Sequence, residues 1–168
     1  GGLGGIGLLL AEHLARHAGF ERHAFVALNT AFLEDGVLLH IPDGVVVEQP
    51  LQLLFAAAAN GRPTVSHPRV LVVAGRDSQA TVIESYRGAD GSVYFTNAVT
   101  EVVLGEGALL DYTRLVTESD RAFHFGALHV RQGRSSSFTS HSVTLGGGLV
   151  RNEVGAVLVE TPPLEASL

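Results

Sequence analysis

The chain has 168 residues, 46% of them hydrophobic, and a formal net charge of −6. A single domain of this size can bury a substantial core. All eleven basic residues are Arg, and Arg scattered over an acidic chain forms no basic stripe for a phosphate backbone, which argues against a nucleic-acid partner. The absence of Cys excludes disulfides and thiolate-ligated metal or iron–sulfur sites within the chain.

The chain contains no Met and ends abruptly after Thr161-Pro162-Pro163, so we interpret it as a fragment of a longer protein. No apolar run approaches the roughly 20 residues that span a bilayer. The longest run, Ile6–Ala11, also lacks the charged start of a secretory signal. These features predict a cytoplasmic protein with no membrane partner.

Helical signals are confined to the first 36 residues. A Gly-rich start leads into a short helix within residues 1–20. Phe25, Leu28 and Phe32 then recur at spacings of three and four, which predicts a second helix. The turn signal Asp35-Gly36 ends this segment.

From Val37 onward the pattern changes to short runs in which apolar and polar residues alternate. Turn residues separate most of these runs, and both features are typical of strands. The predicted strands are Val37–Ile41, Val45–Val47, Leu51–Phe55, Val70–Val73, Thr81–Tyr86, Val93–Leu104, Ala108–Val116, Ala122–Val130, Ser136–Leu145 and Glu153–Glu160. We therefore predict a mainly β fold of stacked strands.

A weak internal repeat accompanies the strands. A Val followed by a short Gly-containing turn occurs at Val73, Val103 and Val130, with spacings of 30 and 27 residues. Repeats on this scale are typical of a parallel β-helix, in which each coil packs against the next. An antiparallel sandwich also has a strand roughly every 8–12 residues, and spacing alone slightly favours the sandwich.

Three blocks of the sequence decide between these architectures, because they occur in the order found in a known family and carry its turn residues. They are Phe25–Gly36 with Ile41–Gly44 and Pro50–Leu53; His67–Val70 with Ser78–Ser85; and Tyr94–Glu101 with Arg134–Phe138, His141 and Gly146–Asn152. On these blocks the chain resembles the SufB/SufD family of iron–sulfur cluster assembly proteins, and the SufD branch more than SufB. The resemblance implies a right-handed parallel β-helix with a short helical N-terminal segment.

The resemblance also implies a function. The family works in a complex of SufB, SufD and the ATPase SufC, so the expected role is a non-enzymatic scaffold with SufB-like and SufC-like partners in the full-length context. Clusters are assembled by that wider complex, and none is expected on this fragment alone. We divide the chain into an N-terminal helical segment (1–36), a β-helix core (37–160) and a tail (161–168).

The chain departs from the family pattern because it stops before the end of the β-helix. The family's late Cys-Ser-His-Gly-like segment, associated with cluster assembly, is absent, and so is the C-terminal helical region that docks SufC. No functional residue can therefore be transferred from that part. We predict no catalytic, cofactor-binding or metal-binding residues within this chain.

A Gly-rich motif supports a different class of function. Gly2-Leu-Gly4-Gly-Ile-Gly7 matches the G-x-G-x-x-G pattern that lets backbone amides approach a pyrophosphate at a helix N-terminus. The alternative function is thus a nucleotide-dependent oxidoreductase. The motif is weak on its own, since no alternating strand–helix pattern follows it and a Tyr-x-x-x-Lys pair is impossible without Lys.

The histidines and serines are interpreted as structural. His13 and His17 have a spacing that suits a metal on one helix face, but no H-E-x-x-H motif surrounds them. His124 and His129 lie five residues apart on a predicted strand and should face opposite sides. Ser135, Ser136 and Ser137 near His141 contain no nucleophile-elbow motif, so we do not predict a hydrolase. These groups are assigned no catalytic or metal role.

The predicted core and the predicted contact surface follow from the strand pattern. Eight side chains are expected to be largely buried: Val72, Val82, Val103, Leu110, Val130, Phe138, Val143 and Leu145. The last strand, Val154–Glu160, carries little charge, and an uncharged open edge is a template for pairing. We therefore predict self-association through this edge as a homodimer, with Pro162 and Pro163 ending the pairing.

Overall fold

The computed structural model describes residues 2–19, 23–58 and 62–159. Two helices precede all the strands: α1 (Gly2–His13) and α2 (Ala24–Ala31). Ten strands follow: β1 (Gly36–Ile41), β2 (Leu51–Ala57), β3 (Thr64–Ser66), β4 (Arg69–Ala74), β5 (Gln79–Gly88), β6 (Tyr94–Leu104), β7 (Leu109–Thr117), β8 (Phe123–Gln132), β9 (Ser137–Thr144) and β10 (Leu149–Leu158). The predicted tail, 161–168, lies outside the described residues.

The strands form a parallel β-solenoid of about four turns. The larger sheet has the order β1-β4-β6-β8-β10, with β3 paired to β6, and the smaller sheet has the order β2-β5-β7-β9. Every strand pair is parallel. The predicted parallel β-helix is therefore confirmed, with helices only before Gly36 among the described residues, and the antiparallel sandwich is wrong.

Three details of the strand prediction differ from the structure. Strand β10 begins at Leu149, four residues before the predicted start at Glu153. The predicted strand Val45–Val47 is reduced to one isolated bridge, between Val46 and Gln79, because this stretch follows directly on a turn and runs around a corner of the solenoid. Strand β3 was not predicted, since its three residues are all exposed and show no burial alternation.

The main core fills the inside of the solenoid. Val72, Val82, Leu110 and Val130 lie there, as predicted, and are buried. Val103 is also buried but faces the opposite side of its sheet, where it packs with α1 residues rather than in the lumen.

Three predicted core residues belong to the last strand of the smaller sheet and its continuation. Phe138 packs against the core but is only partly buried. Val143 is 40% exposed and Leu145 is 74% exposed, so the prediction of burial is wrong for both. Val143 pairs with Leu115, whose position alternates with the buried residues of β7, and it therefore points to the outer face.

A repeated four-residue corner links the two sheets in successive coils, and it explains the glycine repeat seen in the sequence. The corners are 42–45, 75–78, 105–108 and 133–136, and the third residue of each has a φ between 52° and 70°. The amide of Gly105 donates to the Ala74 carbonyl at 2.8 Å, and that of Gly133 donates to Leu104 at 2.9 Å. A Cβ on Gly105 would lie 2.8 Å from the backbone nitrogen of Arg76, so the stacked corner excludes a side chain there.

A buried carboxylate holds the N-terminal segment on the larger sheet. Glu101 accepts hydrogen bonds from the amides of Ala15, His17 and Ala18 at 2.9, 2.8 and 2.9 Å. It also accepts two from the guanidinium of Arg69, at 3.1 and 2.8 Å. Burial raises the pKa of Glu101, but Arg69 and the amides outweigh burial and bring the pKa below its usual value.

Helix α2 is attached through the same ion pair. Asn29, which is fully buried, accepts a hydrogen bond from Arg69 and donates to the carbonyls of Pro68 and Asn97. Because one amide side chain joins the helix to two neighbouring strands, the helical segment has a defined position on the β-helix.

Candidate functional site

The candidate assembly surface is the open edge at the last coil, formed by β10. This strand pairs only with β8, so its other edge has no strand neighbour within the described residues. Val154 and Leu158 are 66% and 72% exposed, and Val157 is 64% exposed. An apolar strand with free backbone donors and acceptors is suited to pairing with another strand.

Charge is concentrated at the start of this strand. Arg151 pairs with Glu153, and Glu153 also lies 3.3 Å from a ring nitrogen of His23. Residues 154–158 carry no charge, so the devices that usually protect an edge strand are missing there. The predicted pairing segment, Val154–Glu160, thus coincides with the exposed part of β10 up to Leu158; Val159 follows the strand, and Glu160 lies outside the described residues.

A polar network fills the middle of the lumen. The fully buried Glu84 accepts hydrogen bonds from the hydroxyls of Tyr86 and Tyr112, both at 2.5 Å, and from Thr100 at 2.8 Å. Arg114 completes the network with a 3.1 Å ion pair to Glu84. The carboxylate and the guanidinium compensate each other, which is the condition under which charges are tolerated in a core.

Burial and the Glu84 charge act on the ionisable neighbours in the same network. Burial, reinforced by Glu84, raises the pKa of Tyr86 and of Tyr112 well above the ordinary phenol value. Burial lowers the pKa of Arg114, but Glu84 outweighs it and the net pKa is raised. Both tyrosines therefore remain protonated donors and Arg114 remains charged near neutral pH.

A second buried cluster lies next to the first. Glu118 accepts a hydrogen bond from Thr96 at 2.7 Å and pairs with Nδ1 of His124 at 3.0 Å. The His124 ring also meets Tyr86 edge-on, with ring centres 4.7 Å apart. Its Nε2 atom and the Nε atom of Arg114 are buried without a partner among the described residues.

Sequence reasoning did not predict this interior chemistry, although a signal for it exists. In β5, Glu84 and Tyr86 lie two and four residues after the buried Val82, so their side chains face the same, inner side of the sheet. Glu84 and Arg114 are 30 residues apart, which equals the repeat between Val73 and Val103. Combining parity with the repeat would have placed both charges in register inside the solenoid.

The structure separates most of the histidines considered as ligands. His124 lies in the lumen, whereas His129 is on the outer face of the same strand, as its odd spacing predicted. His13 and His17 contact each other at 3.2 Å. Within the described ranges, no three His, Asp or Glu side chains are arranged to hold a metal ion.

One histidine grouping was missed by sequence reasoning. His17, His23 and His129 line a cleft of about 440 Å³ between the N-terminal segment and β10. Burial lowers the pKa of His17 and of His129. His129 is 106 residues from His23 and 112 residues from His17 in the sequence, so only the docking of the N-terminal segment brings these rings together.

The serines do not form a catalytic arrangement with His141. Ser135 is the left-handed residue of a corner, with φ of 55°, and the Ser136 hydroxyl donates to the Gly133 carbonyl. His141 is exposed on the outer face of β9. The hydroxyls therefore serve the turn, and the arrangement provides no nucleophile–base–acid chain.

The Gly-rich motif lies within a helix. Gly2–Gly7 belongs to α1 itself rather than to a loop that precedes a helix. The described strands form a solenoid and not the doubly wound sheet whose first turn carries a dinucleotide fingerprint. The structure therefore gives the oxidoreductase alternative no support.

Comparison with known families agrees with this architecture. Residues 55–162 match the model of the SufBD core domain of the SUF system for FeS cluster assembly, and residues 7–53 match that of the SufBD protein N-terminal region. The chain belongs to the SufBD family. Neither helix in the described ranges has the length and hydrophobicity needed to cross a bilayer.

Individual relatives come from both branches of the SufBD family. The chain is 31% identical over 154 residues to an iron–sulfur cluster assembly SufBD family protein of Synechocystis, covering 85% of this chain and 34% of the relative. It is 30% identical over 95 residues to SufD and 28% identical over 120 residues to SufB of Bacillus subtilis; these alignments cover 55% and 69% of this chain and 21% and 25% of the relatives. The chain thus spans between about a fifth and a third of their length, and the SufD assignment stays a prediction.

Proposed function

We propose that this chain is part of a non-enzymatic scaffold subunit, of the SufD type, in iron–sulfur cluster assembly. Membership of the SufBD family supports a role in that process. The scaffold is proposed to pair with a SufB-like protein and to work with a SufC-like ATPase in the full-length protein. In a cytoplasmic complex of this kind, the cluster is the product of the assembly and not a resident cofactor of this chain.

The observation that carries the proposal is the parallel β-solenoid, which agrees with the match to the SufBD core domain over residues 55–162. In the given chain the last described strand, β10, also presents the apolar residues 154–158 at an edge that has no strand neighbour among the described residues. A preformed edge pairs with another strand without a large ordering cost. A second copy of this chain could use the same edge, and we propose a homodimer as the form adopted without a partner.

The buried polar groups support a structural role over an enzymatic one. Glu84 and Arg114 are compensated by each other, and Glu118 is held by Thr96 and His124. Groups committed to internal hydrogen bonds rigidify a core instead of serving a substrate.

Co-purification tests the proposal. We expect the tagged full-length protein, co-expressed with SufB-like and SufC-like proteins, to retain both. No capture of either protein by the unaltered full-length protein would refute the scaffold role. In the given chain alone, Val157→Lys should weaken self-association, whereas Leu109→Lys, which adds the same charge to an exposed apolar residue of an interior strand, should not. Equal association of both variants would show that the β10 edge is not the contact of the homodimer.

A further inference from the structure

A large open cavity lies beside the N-terminal part of the β-helix. Its volume is about 940 Å³, and it is lined by the end of α2, the end of β2, and β3 with the start of β6. Cavities of about 300–1,000 Å³ are the usual size for small-molecule sites. The scaffold function assigns no role to this space.

Aromatic rings form much of the cavity wall. Phe32 stacks on His67 with ring centres 5.4 Å apart, and Phe55 stacks on Tyr86 with ring centres 5.0 Å apart. Tyr86 is buried at depth, whereas Phe32 is 57% exposed at the mouth. Phe32 at the mouth and the partly buried Phe55, which lies over Tyr86, therefore offer apolar ring faces that suit a planar ring system.

The charges that line the cavity have one sign. Glu34 and Asp35 are exposed at its mouth, and Glu118 is buried at its floor. Among the described residues, no Arg lines the cavity, and the chain contains no Lys. The remaining basic group is His67, and burial lowers its pKa, so its ring is neutral at pH 7. Phosphate and carboxylate ligands would have no cationic partner here.

We propose that this cavity binds a small aromatic amine, with its ring inside and its ammonium group at the mouth. The apolar body replaces water against the stacked rings, which provides most of the affinity. The ammonium group stays hydrated beside Glu34 and Asp35, so it avoids the cost of burying a charge. Phe32 at the mouth adds a face for a cation–π contact.

A series of three probes with one ring body tests both parts of the proposal on the full chain. The probes are 1-naphthylmethylamine, 1-naphthalenemethanol and 1-naphthoic acid, titrated by calorimetry. We expect the amine to bind about five- to tenfold more tightly than the alcohol at low salt, as expected for two partly screened carboxylates, and the acid to show no binding. Equal affinity for amine and acid, or no binding of the amine at millimolar concentration, would overturn the proposal.

Two sets of variants locate the site. The double variant Glu34→Gln with Asp35→Asn changes only exposed side chains. It should lower the affinity for the amine to that for the alcohol, and the affinity for the alcohol should not change. Ala57→Trp should fill the cavity and abolish binding of both, whereas Leu54→Trp, on the same strand but outside the cavity lining, should leave both unchanged. An amine affinity that is insensitive to the double variant refutes the assignment of the ammonium position, even where Ala57→Trp fails to fold.

Discussion

Replacing Glu101 by Ala removes the acceptor that holds the N-terminal segment on the β-helix. The variant leaves the buried Arg69 guanidinium without its anion and three amides, of Ala15, His17 and Ala18, without an acceptor. Loss of one partner of a buried ion pair costs about 3–5 kcal/mol. The amides do not add fully to this cost, because residues 14–18 can detach and hydrogen-bond to water.

Two measurements separate the consequences of Glu101→Ala. Urea denaturation should show that the free energy of unfolding decreases by about 3–5 kcal/mol. Relative to the unaltered chain, hydrogen exchange should accelerate more at the amides of α1 and residues 15–18 than at those of β6. Glu106→Ala is the matched control, because Glu106 pairs with Arg134 on an exposed corner and should cost less than about 1 kcal/mol.

If Glu101→Ala lowers the free energy of unfolding by less than about 1 kcal/mol, Glu101 does not hold the N-terminal segment as described. Acid denaturation gives a further check. The folded-state pKa of Glu101 lies below its ordinary value of 4.5, so the unfolded chain binds more protons as the pH falls. The stabilisation is complete above that value and is lost as the pH decreases through the folded-state pKa. The Ala variant should lack this part of the acid dependence.

The other predictions concern the core, a corner, the cleft and the edge. Phe138→Ala should lower the free energy of unfolding by about 2 kcal/mol, less than the 3–5 kcal/mol typical of a buried Phe, because its ring is only partly covered. A decrease above about 4 kcal/mol in urea denaturation would contradict the partial exposure of this ring in the last coil. Gly105→Ala should cost about 1–3 kcal/mol, because its Cβ would meet backbone atoms; an unchanged melting temperature would contradict the stacked corner. The folded-state pKa of His129 is lowered, so its contribution to stability should be complete above pH 6.5 and decrease as the pH falls below it; a His129→Gln variant with the same pH dependence would contradict this. In sedimentation at tens of micromolar the unaltered chain should associate, Val157→Lys should be monomeric and Leu109→Lys should associate like the unaltered chain; a monomeric unaltered chain would refute the homodimer.

The part of the fold that could be predicted from the sequence is the part encoded locally. Short apolar or alternating runs between turn residues located β4 to β10, and the turn at Asp35-Gly36 separated the helices from the strands. The choice between a β-helix and a sandwich needed the family resemblance, since both give the same local pattern. Val143 shows the limit of alternation, because an alternating strand does not reveal which of its two faces is inside until its register with a neighbour is known.

The interior network could not be predicted from residue types alone. Glu84 and Arg114 would each be read as surface residues, since unpaired charges are excluded from cores. Their burial depends on a contact between coils, which pairs positions 30 residues apart. The cavity and the histidine cleft depend further on where the N-terminal helices dock, and that position is set by Arg69 with Glu101 and by Asn29.

The corners show how the same coil spacing determines the register of the whole stack. The second corner residue is Asp43, Arg76, Glu106 and Arg134 in successive coils, so the sign of the charge alternates. Arg76 pairs with Asp43 and Arg134 pairs with Glu106. Exposed pairs of this kind add little stability. A corner packed against the corner two coils away would, however, bring like charges together, so the alternation disfavours that arrangement. A glycine opens each of the last three corners, and its close contact with the neighbouring corner excludes other spacings. Charge and shape therefore select one register. In that register, β10 has its apolar residues at a defined position on the open edge.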